Sequence, residues 1–279
     1  MKHQTHTLRV SDGQELFTQR WLPEGTVKAH LLLVHGYAEH STRYLHLAEF
    51  LTGHGYAVYG FDLRGHGRSQ GRRAYVDRFE LYLKDLTAVL DEVKVQAKKQ
   101  PLFLFGHSMG GAIVTRYVLT RQPRLRGVLL SGAALEVSKE ISPLLQRLSS
   151  VIGAWAPTLK TIKLDSKAVS RDPAVVEAYE QDPLNYHGAT YARTGAELIR
   201  TTSLIQQDME QFRLPVLIMH GTADRLTEPD GSRELHRRAA AADKTLKLYE
   251  GLYHELINEP EKEQVMQDIL AWMDEHLDA

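Results

Sequence analysis

The sequence predicts an α/β protein built on a mostly parallel sheet. Short apolar runs such as Ala29–Val34 and Tyr56–Phe61 show no polar alternation, as expected of strands buried on both faces. Stretches of helical period separate these runs, which implies right-handed crossovers between parallel strands. At the centre, residues 101–122 (PLFLFGHSMGGAIVTRYVLTRQ) pass from an apolar run into a helical one through a single sharp turn, with Ser108 at its apex.

Taken in order, the chain opens as a hairpin: residues 7–10 and 16–21 flank Ser11-Asp12-Gly13, a turn sequence of the Asp-Gly kind. Residues 29–34 make the first buried strand, which ends at His35-Gly36-Tyr37. Residues 44–54 have helical period, residues 56–61 form the next strand, and residues 79–98 a long amphipathic helix. A strand at 102–105, the sharp turn, a helix at 112–120 and a strand at 127–130 follow. The strand pattern then stops until residue 208, with helices expected at 143–155, 173–180 and 191–207. Strands resume at 215–220 and 245–249, and an amphipathic helix covers 261–277. This reads as a core of residues 1–135 and 209–279, with residues 136–208 as a helical cap lying like a lid over the strand ends. The plainer alternative is a helical layer of the same domain. In the first helix of that block, Leu144, Leu145, Leu148, Val151, Ile152 and Trp155 share a broad face. Such a face either packs on the body or forms an apolar rim toward lipid or a membrane surface, and a mixture is expected.

A chain of 279 residues can bury a substantial core as one domain, or one domain with an insertion. Its composition, 43% hydrophobic and 25% charged with a net charge of −1, offers no basic field for nucleic acid. Cysteine is absent, which excludes disulfides and thiolate metal sites and fits a reducing, cytoplasmic setting. The first 21 residues carry no apolar signal segment and no run of 18 apolar residues follows, so a soluble, unprocessed protein is expected. The 14 histidines show no HExxH or comparable spacing, and neither a metal nor another cofactor is expected.

The chemistry centres on Ser108. Glycines two before and two after it let the backbone double back where a side chain would collide with the adjoining strand or helix. The hydroxyl then stands above the Met109 amide and a helix N-terminus, both of which favour negative charge. This is the nucleophile elbow of serine hydrolases. The pattern alone arises by chance in about one chain in ten of this size, and here it occurs twice. Gly67-Arg68-Ser69-Gln70-Gly71 also matches, but it follows a polar loop and leads into Arg72-Arg73 rather than a helix. Ser69 is therefore read as coincidence.

A serine hydroxyl needs a histidine to take its proton and an acid behind the histidine. In an α/β sheet these belong on loops at the carboxyl ends of later strands. The strand at 215–220 empties into Thr222-Ala223-Asp224-Arg225, and that at 245–249 into Leu252-Tyr253-His254-Glu255. Asp224 and His254 thus follow Ser108 in the chain order this architecture requires. His35 and His220 also end strands, but neither lies after the strand that follows the acid. Asp62 precedes the sharp turn and is better placed to hold its own loop with Arg64 and His66. The oxyanion of acyl transfer needs two N–H donors: the Met109 amide, and the Tyr37 amide, which Gly36 allows to approach closely.

Beyond these residues, HGYAEHSTRY (35–44), FDLRGHGRSQG (61–71), GHSMGG, HGTADRLT, YEGLYHELINEP and SRDPAVVEAYEQDPL (170–184) resemble the monoacylglycerol lipase family of α/β-hydrolases over nearly the whole chain. The resemblance implies the α/β-hydrolase fold, a mostly parallel eight-stranded sheet flanked by helices, with a helical cap insertion over a hydrophobic tunnel. It implies hydrolysis of a monoacylglycerol or similar single-chain lipid ester; peripheral membrane contact through the cap would follow from the apolar face of its first helix. Glu39 and Arg43 match family positions near the headgroup, and Tyr179 a cap tyrosine near it. The plainer readings are a Glu39–Arg43 pair and a Tyr179 packed within the cap. Animal members carry cysteines near the tunnel; this chain has none, so thiol-directed inhibition should be absent and the bacterial members are the better match. Rivals are a carboxylesterase or lysophospholipase with the same triad, a peptidase of the same fold, and a non-catalytic hydrolase-fold binding protein. A peptidase should show an acidic anchor for an amino group, and none is evident. A binding protein should lack a triad member, and none is lacking.

Overall fold

Eight strands form one sheet, and the apolar runs lie at its centre. The computed structural model describes residues 1–137 and 143–277. A hairpin of β1 (Lys2–Arg9) and β2 (Glu15–Leu22) precedes β3 (Ala29–Val34), α1 (Leu45–Gly53), β4 (Tyr56–Phe61) and α2 (Glu80–Ala97). Next come β5 (Leu102–His107), α3 (Met109–Arg121) and β6 (Gly127–Ser131). Helices α4 (Pro143–Trp155), α5 (Pro173–Gln181) and α6 (Ala192–Asp208) lead to β7 (Val216–Gly221), α7 (Pro229–Arg238), β8 (Lys244–Tyr249) and α8 (Lys262–Glu275). The strand order is β1-β2-β4-β3-β5-β6-β7-β8. The hairpin joins antiparallel at β4, and every pairing from β4 to β8 is parallel.

All residues of β3, β4, β5, β6 and β7 are buried, because helices cover both faces of these strands. The pleat sends alternate side chains to opposite layers. Leu32, Val34 and Leu104 join Leu86, Leu90 and Val114 of α2 and α3 on one side. Leu31, Leu33, Phe103 and Phe105 meet Leu47 of α1 and Trp272 of α8 on the other. Each such side chain contributes about 1.5–3 kcal/mol on burial, and this packing is what holds a strained turn at the end of β5.

The structure departs from the sequence pattern in three places. Strand β1 begins at Lys2, pairing with Leu22, although its residues are mostly exposed and show no apolar alternation. Helix α3 begins directly at Met109, so its glycines lie inside the first turn. Helix α7 was not expected, since it buries only Gly231, Ser232 and Leu235.

Between β6 and β7 the described residues hold α4 to α6 and one isolated bridge, Lys160 with Tyr191. Helix α6 packs on α3 and α4 packs on α6. The second contact is close at Gly153, where a Cβ would lie 2.8 Å from that of Ala196. The other side of α4 faces outward: Leu148, Val151 and Trp155 are 43%, 52% and 88% exposed, and Leu159 and Ile162 continue the apolar surface. Ile152 is half-buried, and the side chains of Leu144 and Leu145 lie outside the described residues. Among the described residues no helix is long and apolar enough to cross a membrane.

Candidate active site

At the end of the central strand, Ser108 adopts φ 54° and ψ −122°. A positive φ at a non-glycine residue costs on the order of 1–3 kcal/mol and persists only where its surroundings enforce it. The Ser108 N–H donates to the Ser131 carbonyl at 3.0 Å, and the Ser108 carbonyl accepts from Ala112 at 3.2 Å and Ala134 at 3.0 Å. Gly110 permits a close crossing, because a Cβ there would lie 2.2 Å from the Val34 carbonyl oxygen and 2.4 Å from that of His35. Met109, the first residue of α3, has an N–H with no intrahelical acceptor, at the positive end of the helix.

The loop after β3 faces this turn. His35 is buried, and burial holds its pKa down at about 4, so the ring is neutral. Its Nε2 accepts from the Leu63 amide at 2.9 Å, which leaves Nδ1–H to donate to the Gly36 carbonyl at 2.8 Å. The Gly36 N–H donates to Glu39 Oε1 at 2.6 Å. Ala38 is held at φ 65°, with its carbonyl accepting from the Tyr186 amide at 2.9 Å. Among the described residues the Tyr37 N–H has no acceptor. Tyr37, Ser108 and Met109 line one cavity of about 200 Å³, whose walls include Ala134, Leu198 and Ile199. A roomier hollow of about 580 Å³, beside Lys98, Arg124 and Pro215, lies at the amino ends of the strands, away from Ser108.

Asp224 and His254, on the loops after β7 and β8, are joined by a 2.7 Å hydrogen bond from His254 Nδ1 to Asp224 Oδ2. Asp224 Oδ1 accepts from the amides of Leu226 at 2.8 Å and Thr227 at 3.0 Å. Burial opposes a charge on Asp224, but the His254 charge and hydrogen bonds from His220 and His254 outweigh it and hold the carboxyl far below its ordinary range. For His254, burial disfavours protonation, yet the adjacent Asp224 charge prevails and the pKa is raised. The His254 ring stacks, tilted, 4.6 Å from that of His107, the residue before Ser108. Burial, reinforced by His254, pushes His107 down to about 4, so it is no rival proton carrier at neutral pH.

Glu39, Arg43 and Tyr179 come together in a buried network beside the Tyr37 loop, and none of them lines the Ser108 cavity. Glu39 Oε1 also accepts from the Tyr44 hydroxyl at 2.9 Å, and Oε2 accepts from Arg43 at 3.2 Å. Arg43 forks onto Glu255 at 2.5 and 2.8 Å, and its guanidinium lies 4.8 Å over the Tyr179 ring. The Tyr179 hydroxyl is 3.5 Å from the Ala38 carbonyl oxygen.

Asp62 departs from its expected partners. It accepts from Ser41 at 2.9 and 2.6 Å and from the Arg68 amide at 2.7 Å, because Arg64 forks instead onto buried Asp85 at 2.6 Å. Two residues beside Asp224 escaped sequence reasoning. Thr227 donates to Oδ2 at 2.8 Å and carried no signal. His220, weighed only as a rival base, lies 3.1 Å from the same oxygen.

Residues 25–261 match the family described as Hydrolase_4, serine aminopeptidase, S33. The chain is 37% identical over 272 residues to a monoacylglycerol lipase of Mycolicibacterium smegmatis, covering 98% of this chain and 97% of that one. It is 35% identical over 266 residues to a monoglyceride lipase of Homo sapiens, covering 94% and 88%. The solved structure of a Paleococcus ferrophilus monoacylglycerol lipase superposes with a TM-score of 0.84 at 35% identity, covering 94% of this chain and 99% of that one. The chain belongs to the serine aminopeptidase S33 family, among its monoacylglycerol lipase-like α/β-hydrolases.

Proposed function

We propose that the chain is a carboxylic ester hydrolase that cleaves monoacylglycerols to fatty acid and glycerol through an acyl-enzyme on Ser108. One observation carries the reading: a serine on a strained turn shares an apolar cavity with the Tyr37 and Met109 amides, beside the 2.7 Å His254–Asp224 pair. His254 takes the Ser108 proton as the oxygen attacks the ester carbonyl, and the two amides hold the oxyanion. Protonated His254 then gives its proton to the departing glycerol oxygen, and water repeats the cycle on the acyl-enzyme. Asp224 orients His254 and stabilises its charge. Against burial, the Asp224 charge raises the pKa of His254, which moves the acid limb of the pH–rate profile upward from the ordinary histidine value, with activity lost as pH falls through it. The chemistry uses no cofactor.

The names of the full-length relatives support the glyceride substrate. Residues 136–208 act as the cap over a core of residues 1–135 and 209–279. The exposed Leu148, Val151, Trp155, Leu159 and Ile162 form the rim by which a cytoplasmic enzyme rests on a lipid surface. Glu39, Arg43 and Tyr179 border the headgroup end and act on it through the loop they brace. That their polar atoms are taken up within the protein, Arg43 by Glu39 and Glu255, Glu39 also by Gly36 and Tyr44, and Tyr179 by the Ala38 carbonyl, favours a second reading, a carboxylesterase or lysophospholipase with the same triad.

The test is fatty-acid release from 1-monooleoylglycerol, with a lysophosphatidylcholine of the same chain and a short alkyl ester alongside. The glyceride is expected to turn over about tenfold faster or more than either, and Ser108→Ala to abolish it. Preference for the short ester would transfer the assignment to a general esterase. No turnover of any ester would make the chain a binding protein.

A further inference from the structure

We infer that His220 is a positioning residue for the triad: it grips Asp224 beside His254 and limits how strongly that carboxylate draws a proton onto His254. His220 is the penultimate residue of β7 and is fully buried. Its Nε2 lies 3.1 Å from Asp224 Oδ2, the same oxygen that receives His254 Nδ1 at 2.7 Å. A carboxylate only accepts, so the His220 nitrogen facing it carries the hydrogen. The other nitrogen, Nδ1, then accepts from the Ser232 hydroxyl at 2.7 Å, presented by α7. A chain of donors results, Ser232 to His220 to Asp224, meeting the donor from His254 on one oxygen.

Nothing in the packing alone calls for an imidazole here. An apolar side chain would fill the end of β7 without burying two ring nitrogens that each need a partner. His220, His254 and the Thr227 hydroxyl, which is 2.8 Å away, all approach this one carboxylate oxygen; donors that share its charge each weaken its hold on the others. Without His220, Asp224 would bind a proton on His254 more tightly. His254 would become a free base only at higher pH, and would return its proton less readily to the leaving group. Among the described residues, the titratable groups facing His220 and His254 are Asp224, His107 (4.6 Å from the His254 ring) and the Glu255 and Glu39 carboxylates, whose charges also raise His254; Thr227 adds its hydroxyl 3.3 Å from His220 Nε2, and Glu136 backs α7 at Gly231.

The inference rests on the triad proposed above and not on which ester is cleaved, so a soluble ester serves as probe. The experiment is the pH profile of kcat/KM on 4-nitrophenyl butyrate for wild type, His220→Leu, His220→Gln and Ser232→Ala, with melting temperatures in parallel. His220→Leu should move the midpoint of the acid limb upward by about half a pH unit to one unit. His220→Gln, whose amide N–H can reach the same oxygen, should restore the wild-type limb. Ser232→Ala, which leaves the ring but frees its tautomer, should move the limb the same way by less. A wild-type limb in His220→Leu, whatever its melting temperature, would reduce His220 to core filling. Should His220→Leu fail to fold, the limb of Ser232→Ala decides: upward movement upholds the role, and no movement overturns it. Full activity in Ser108→Ala would instead remove the triad itself.

Discussion

The chain carries Gly-x-Ser-x-Gly twice, and the two copies have opposite surroundings. At residues 106–110 the serine sits between the central strand and a helix, at φ 54°, and opens onto an apolar cavity. At residues 67–71 the serine lies in the loop after β4, and both functions of its hydroxyl are taken. Ser69 Oγ accepts from the Phe17 amide at 2.8 Å and donates to the Asp62 carbonyl at 2.5 Å. The glycines differ in purpose as well. Gly110 keeps α3 from striking the carbonyls of β3, whereas Gly67 clears the Asp62 carboxylate, 2.0 Å from where a Cβ would be. A five-residue pattern describes backbone clearance; a nucleophile further needs a base, two free amides and a cavity. Among the described residues, the Ser108 copy opens onto a cavity lined by Tyr37 and Met109, whereas the Ser69 hydroxyl is engaged by Phe17 and Asp62.

Substitutions can break that contrast. The largest expected effect is Ser108→Ala, which should lower kcat on 1-monooleoylglycerol by about 10⁴-fold or more while leaving the melting temperature intact. Gly110→Ala comes next. Its methyl would push on two backbone carbonyls that cannot yield independently, displacing the Met109 amide from the oxyanion position. We expect kcat/KM to fall by about 100-fold and unfolding in urea to show a loss of about 1–3 kcal/mol. The smallest effect is Ser69→Ala, which should leave kcat/KM unchanged and cost about 1–2 kcal/mol in the same denaturation experiment, since the Phe17 amide loses its acceptor. Activity lost in Ser69→Ala at unchanged stability would erase the distinction.

The same contrast explains what could be read from the sequence. Strands β3 to β7 are buried on both faces, so each appears as a mainly apolar run, with His30, His107, Ser131 and His220 as polar exceptions. The Ser108 copy was separable from the Ser69 copy because its flanks, apolar run before and helical period after, lie within a few residues. Asp224 and His254 were legible jointly, through strand ends and chain order. Helix α7 was not, since it is strongly polar and Leu235 is the one large apolar residue that it buries, which leaves no apolar run to mark it. Nor was the fork from Arg43 to Glu255, across 212 residues, or the grip of His220 on Asp224. The Glu39–Arg43 pair is four residues apart and could be anticipated; what completes it depends on the folded chain.

The most direct test of the central claim is to react the folded protein with a fluorophosphonate, digest it and locate the adduct by mass spectrometry. The expected result is one adduct, on the peptide containing Ser108, with the Ser69 peptide unmodified and labelling suppressed by 1-monooleoylglycerol. An adduct on Ser69, or none on a protein that hydrolyses esters, would contradict the assignment of Ser108 as nucleophile.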